Sequence, residues 1–367
     1  MKKIILTGGG TAGHVTPNLA LLPLLQAQGF EVHYIGSKDG LEKELVAATG
    51  IPYHGISAGK LRRYMDLKNI TDFFRVIKGF GNAVSLIRRL KPDIVFSKGG
   101  FVTVPVLAAA RMLRVKCVSH ESDLTPGLAN RISQPFTHKV CVSFPETLAH
   151  LPERKTVLTG SPIRRELLNG DKQAGLKICE WSDGGKPVIL VTGGSQGAAA
   201  INRAIREVLP QLLTQFRVVH LCGKGNLLNS SSSPDSSGLP KEALPGYVEF
   251  EYVQEGLADL YALADIVVSR AGANTLFELL AMKKPNLLIP LSLESSRGDQ
   301  ILNAESFVMQ GFSKLLPEGK ITSERLVKEI NLLYNDREIY TTNMTAHNQG
   351  DGTAQVMAVI MDVLEDV

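Results

Sequence analysis

The chain has 367 residues, more than one hydrophobic core usually serves, so two domains of similar size are expected. Hydrophobic residues make up 44% and charged residues 21%, which excludes wholesale disorder. A net charge of +4 is too mild to mark a nucleic-acid binder, although it leaves room for a local basic patch facing phosphates or anionic lipid.

Cys117, Cys141, Cys179 and Cys222 lie far apart, with no C-x-x-C pair and no histidine at ligand spacing. Neither zinc nor a disulfide framework is indicated, and buried free thiols in a reducing cytoplasm are expected. The opening MKKIILTGGG offers too short an apolar run for a signal peptide. The longest apolar stretch, Val102 to Ala110, is far short of a spanning helix, so membrane contact is expected to be peripheral.

Taken in chain order, Lys3 to Gly13 (KIILTGGGTAG) is a β-rich run ending in glycines, and the helix-like NLALLPLLQAQG follows. Strand-like runs at 31–36, 93–100, 116–122 and 139–144 then alternate with helical stretches, the pattern of a parallel sheet. LPERKTVLTGSPIRREL (151–167) carries two prolines and a glycine and reads as the interdomain linker, centred near Gly160 to Ile163. Lys186 to Gly197 (KPVILVTGGSQG) repeats the opening, again with a helical pattern after it. The two T-G-G triplets, at Thr7 and Thr192, stand about half a chain apart, as two similar halves require. Further strand-like runs fall at 216–223, 247–253, 264–272 and 284–291, and the serine-rich 229–240 reads as a surface loop. The fold class is therefore α/β, with two Rossmann-like domains.

In open parallel sheets ligands bind at the carboxyl ends of strands, where glycine turns let backbone N–H groups approach a phosphate. Three such loops are present: Gly8 to Gly13, Gly99 with Gly100, and Gly193 to Gly197. The first matches G-x-G-x-x-G at Gly8, Gly10 and Gly13, so a dinucleotide-binding dehydrogenase is a rival. That fingerprint expects an acid at the end of the second strand, whereas EVHYIGSK ends in Gly36, Ser37 and Lys38. A non-enzymatic nucleotide-binding or membrane-docking module is a third class. It would not need the polar residues that follow.

His14 directly follows the first loop, as a catalytic base or as a structural histidine. Glu278, in SRAGANTLFELLA (269–281), sits on a helix starting just after Gly272, where a carboxylate can reach a ribose diol; the bland alternative is a solvated surface acid. Asp299 and Gln300 open a helix and suit the hydroxyls of a sugar, or simply cap it. The segment 69–91 places Ile70, Phe73, Phe74, Ile77, Phe80, Val84 and Ile87 at helical spacing among lysines and arginines, after Arg62, Arg63 and Tyr64. Such a stripe is either a core face or an interfacial helix, and docking through Phe74, Ile77 and Phe80 is the expectation.

GGGTAGHVTP, SKGGFVTVP, HESDLTPGLANR, GSPIR, GGSQGA, SRAGANTLFE and RGDQILNA together give the sequence a whole-chain resemblance to the MurG family. These are transferases that move N-acetylglucosamine from UDP-N-acetylglucosamine to undecaprenyl-pyrophosphoryl-N-acetylmuramyl-pentapeptide. The resemblance implies two Rossmann-like domains facing across a cleft, the GT-B glycosyltransferase architecture. Residues 1–162 would receive the acceptor lipid, 163–342 would bind UDP-sugar, and the C-terminal helix within 343–367 would pack back on the first domain. It also implies work at the cytoplasmic face of the cell membrane, without cofactor, metal or nucleic acid.

Residue by residue, the resemblance implies that Thr11, Ala12 and Gly13 lie by the reacting sugar and acceptor diphosphate, and that Arg164 and Ser195 address the donor. Val253 would give backbone contacts to uracil, and Ala273, Asn274, Thr275, Leu276, Phe277 and Glu278 would wrap the nucleotide, with Glu278 on the ribose. Gln300 and Asp299 would hold the N-acetylglucosamine. The base would be His14, Glu121 or Asp123. Glu121, Ser122 and Asp123 stand where many members read E-Q-N, Phe101 where many have tyrosine, and Asp299 where glutamine is frequent. These read as subgroup differences. A glycolipid glycosyltransferase or a UDP-sugar epimerase of related fold is the alternative.

Overall fold

The computed structural model describes residues 2–59, 68–182, 185–194, 197–228, 244–253, 255–294, 296–347 and 351–366, without the side chains of 68–73. By packing, the chain divides into one unit of Met1–Arg164 with Asp351–Val367 and a second of Arg165–Gly350. The returning segment thus starts at Asp351, because residues from 343 to Ala346 continue the helix Arg337–Ala346 of the second unit.

The first unit holds a parallel sheet of seven strands: β1 (Lys3–Thr7), β2 (Glu31–Ser37), β3 (Tyr53–Ile56), β4 (Ile94–Ser97), β5 (Lys116–Glu121), β6 (Lys139–Val142) and β7 (Thr156–Leu158), in the order 3-2-1-4-5-6-7. Strand alternation builds two cores. Ile4 and Leu6 face the helices of 16–27 and the C-terminal helix Thr353–Glu365, which supplies Val356, Met357, Ile360 and Val363. Ile5 faces the helices Lys68–Leu90 and Thr103–Met112, through Ala83, Ile87, Val106 and Ala110.

The second unit repeats this plan with six parallel strands: β8 (Val188–Thr192), β9 (Arg217–Leu221), β10 (Tyr247–Phe250), β11 (Ile266–Ser269), β12 (Asn286–Leu288) and β13 (Ser313–Leu315), in the order 10-9-8-11-12-13. Ile189 and Val191 pack against the helices Ala199–Gln215 and Ser323–Asn335. Val188 and Leu190 pack on Leu176, Leu260 and Leu263 of the opposite layer. Each sheet reverses its order beside its first strand, between β1 and β4 and between β8 and β11, which is where open α/β sheets open a crevice for ligands.

Three strands depart from expectation. β3, β7 and β13 each close an edge of a sheet, so they lack the apolar run of a strand covered on both sides by neighbours. β7 lies within the segment expected as linker, whose crossing narrows to the residues after it. The four cysteines are buried and free. Among the described residues no helix is long and apolar enough to cross a membrane.

The amphipathic stripe divides along its length. Phe74 is 64% and Ile77 51% exposed, whereas Ile87 is buried and Phe80 and Val84 pack against the core. Phe80 therefore leaves the proposed docking face, because the adjacent Gly79 is buried against the Ser57 carbonyl, which lets that part of the helix approach the fold closely. Ile70 and Phe73, with Arg62, Arg63 and Tyr64, lie outside the described side chains, as does the serine-rich 229–240.

Candidate active site

In the first unit two glycine loops leave the carboxyl ends of the neighbouring strands β1 and β4. The Gly9 N–H donates to the Gly99 carbonyl at 3.3 Å, so the loops touch. Gly100 has φ +92°, and a Cβ there would sit 2.2 Å from the Gly9 carbonyl oxygen, so this approach needs glycine. Beneath the first loop, buried Asn18 donates to the carbonyls of Thr7 (3.1 Å) and His14 (3.3 Å), and the Tyr34 hydroxyl donates to that of Gly8 (2.9 Å). The fully buried Glu42 accepts from the N–H groups of Ser37 (2.8 Å) and Gly10 (3.3 Å) and from the Ser37 hydroxyl. An acid does follow β2, then, but its oxygens are spent inside the fold rather than offered to a ribose.

His14 ends a short helical turn, Ala12–His14. Its Nδ1 lies 3.1 Å from the Gly9 carbonyl oxygen and 3.1 Å from Thr11 Oγ1. A carbonyl only accepts, so Nδ1 carries a proton, and the neutral form of the ring has its lone pair on Nε2. Thr11 is exposed, and Ala12, Gly13 and His14 are half-buried.

At the end of β5, Glu121 is 4% exposed and accepts from the N–H groups of Asp123 (3.1 Å) and Gly127 (2.9 Å) and from Asn130 Nδ2 (2.8 Å). Burial and the neighbouring Asp123 push its pKa up, against these donors. The carboxylate thus organises the loop from Asp123 to the helix Leu128–Ser133. Beside it, the buried Lys98 Nζ lies 2.6 Å from His120 Nδ1 and donates to Ser122 Oγ, while His120 Nε2 donates to the Gly160 carbonyl at 2.9 Å. Burial, with the Lys98 charge, holds His120 well below the usual histidine pKa, so it stays neutral and accepts from Lys98.

The second unit also brings two loops together, here those after β8 and β9. Gly197 has φ +76°, and a Cβ there would lie 2.1 Å from the Cys222 carbonyl oxygen. The facing loop, 222–228, is anchored by a buried pair in which Arg206 Nε donates to Glu249 Oε1 at 3.2 Å, while Glu249 Oε2 accepts from the Leu228 N–H at 2.7 Å. Ser195, expected at the donor diphosphate, lies outside the described residues. After β11, Gly272 caps the helix Ala273–Ala281, on which Glu278 is only 8% exposed, so it is not a solvated surface acid. Leu276 and Phe277 are core side chains, Phe277 stacking edge-on with Phe307, which leaves their backbone alone for a nucleotide. Gly298 caps the helix Asp299–Met309; Gln300 Oε1 accepts from the Leu291 N–H at 3.1 Å, and Arg297 Nε lies 3.4 Å from Asp299 Oδ2.

Two family models match the chain: the glycosyltransferase family 28 N-terminal domain over residues 4–142 and the family 28 C-terminal domain over residues 188–358. The chain belongs to glycosyltransferase family 28. A UDP-N-acetylglucosamine--N-acetylmuramyl-(pentapeptide) pyrophosphoryl-undecaprenol N-acetylglucosamine transferase of Lachnospira eligens is 55% identical over 99% of both chains. A Clostridium botulinum protein of the same name is 52% identical over 98% of this chain and 99% of its own. Among solved structures, Acinetobacter baumannii MurG matches with TM-score 0.76 at 26% identity, covering 99% of this chain and 100% of that one. A Neisseria meningitidis UDP-GlcNAc 2-epimerase, at 15% identity and TM-score 0.67, shares the fold.

In the first unit of this family 28 enzyme, the fold brings Thr11, Ala12, Gly13 and His14 to the carboxyl edge of the sheet that also carries Glu121 and Asp123. Arg164 ends the first segment of that unit, just before the chain enters the second. In the second unit, Ala273 to Glu278, Asp299 and Gln300 follow strands β11 and β12, and half-buried Val253 follows β10. Sequence reasoning missed Lys98, His120, Glu42 and Asn18. Lys98 stood immediately before a glycine pair after a strand, which is a signal. Nothing local marked the other three.

Proposed function

We propose that the chain transfers N-acetylglucosamine from UDP-N-acetylglucosamine to the C4 hydroxyl of undecaprenyl-pyrophosphoryl-N-acetylmuramyl-pentapeptide, forming a β-linkage in one inverting displacement. The acceptor hydroxyl attacks the anomeric carbon, that oxygen loses its proton, and UDP departs with the electron pair of the broken bond. The observation that carries this reading is the His14 loop, in which the Gly9 carbonyl holds the imidazole through Nδ1 among glycine amides at a sheet switch point. His14 takes the acceptor proton or orients the acceptor diphosphate. Glycine-loop amides and helix N-termini stabilise the departing diphosphate. Thr11, Ala12, Gly13 and Asp123 receive the acceptor; Arg164, Ser195, Val253 and Ala273 to Glu278 hold the donor nucleotide, and Asp299 and Gln300 its sugar. With its oxygens taken by three N–H donors, Glu121 serves as a positioning residue and leaves the base role to His14.

The acceptor's polyprenyl chain places the reaction at a bilayer. The enzyme docks peripherally on the cytoplasmic face of the membrane through Phe74 and Ile77, with Arg75 and Lys78 beside them to meet anionic lipid. Incubation with radiolabelled UDP-N-acetylglucosamine and a short-chain acceptor lipid tests the reading. Label should move to the lipid only when the acceptor is present, and release of free sugar alone would refute it.

A further inference from the structure

Lys98 stands at the carboxyl end of β4, directly before Gly99 and Gly100, yet its side chain is 1% exposed and crosses beneath the end of β5. Burying an ammonium is costly unless its donors are matched, and a well-packed apolar residue in such a place is often at least as stable. Fold stability therefore gives no reason for a lysine here. Its partners do. His120 Nδ1 accepts one proton, and that ring is locked in turn by the Gly160 carbonyl. Ser122 Oγ accepts another, and Ser122 is the half-buried residue between Glu121 and Asp123 at which the chain leaves β5. Thr147 Oγ1 donates to the Leu124 carbonyl at 2.8 Å, so the segment from 122 to 124 is tied down from both sides.

We propose that Lys98 is a positioning residue for the acceptor half of the reaction: by holding Ser122 it fixes the turn that presents Asp123 to the incoming lipid-linked sugar. This rests on the reading of the first unit as the acceptor site. The charged and titratable groups facing Lys98 are the carboxylates of Glu121 and Asp123, the His120 ring and the Cys141 thiol. Burial outweighs the carboxylates and brings the lysine pKa down to about 7, so its charge, and with it the grip on Ser122, weakens as pH rises through neutrality.

The test uses the full-length chain, with Lys98→Met and Ser122→Ala beside wild type, and measures acceptor KM, donor KM and melting temperature from about pH 6 to 9. In both variants acceptor KM should rise about tenfold with donor KM unchanged, and at about pH 7 Tm should fall no more than about 3 °C below wild type. Wild-type kcat/KM for the acceptor should fall as pH rises through about 7, and Lys98→Met should lose that limb. Unchanged acceptor KM in both variants overturns the inference, and so does an equal loss on the donor and acceptor sides with a lowered Tm, which marks a purely structural lysine. If Lys98→Met fails to fold, Ser122→Ala alone decides between these outcomes. A wild-type chain that transfers no sugar overturns the acceptor-site reading as well.

Discussion

His14 and Glu278 carry the sharpest residue-scale expectations. His14→Ala removes the proposed base, so turnover should fall roughly a hundredfold while UDP affinity, assigned under the proposed function to the other unit, stays near wild type. Near-normal turnover would make His14 a structural residue. Glu278→Ala should weaken UDP binding by about 1 to 3 kcal/mol, the usual loss for a charged hydrogen-bond partner, and unchanged calorimetric affinity would refute the ribose role. Lys98 adds a pH signature in stability. Its pKa drops from an ordinary 10.5 when unfolded to about 7 when folded, so between these values the unfolded chain binds the extra proton. The cost of the buried charge is full below about pH 7 and fades as pH rises toward 10.5. Denaturant unfolding should therefore show wild type gaining stability relative to Lys98→Met across that window, and a constant difference would contradict it. The sequence revealed His14 and Glu278 because each follows a glycine at a strand end. The place of Lys98 before a glycine pair was visible, but its partners were not, because they depend on β4 lying beside β5.

Elements were legible in proportion to how completely they are buried. Central strands such as β1, β4, β8 and β11 are covered on both faces, so they read as unbroken apolar runs. The edge strands β3, β7 and β13 needed only one neighbour and showed no such run. Periodicity likewise found the helix Lys68–Leu90 but could not locate the change of environment along it, because Ile77, Phe80 and Val84 are equally apolar. Phe74→Ser with Ile77→Ser should abolish flotation with anionic vesicles while circular dichroism and UDP binding remain normal. Retained flotation would send the docking face elsewhere on the unit.

For the whole molecule, the duplicated plan was visible in the repeated T-G-G openings, whereas the return of the chain to the first unit left little local trace. The helix Thr353–Glu365 is one amphipathic helix among many, and only packing shows that Ile360 completes the core around Ile4 and Leu6. Ile360→Ala should cost about 2 to 5 kcal/mol of stability in the first unit, read as a lowered unfolding midpoint, and an unchanged midpoint would show that the helix is dispensable to that core. An inverting transfer to a lipid-linked acceptor is recorded in the anomeric configuration of its product. Proton NMR of the purified lipid product should show a single new N-acetylglucosamine, β-linked to the acceptor's C4 oxygen. An α-linkage, or an epimerised sugar nucleotide with no lipid product, would contradict the account.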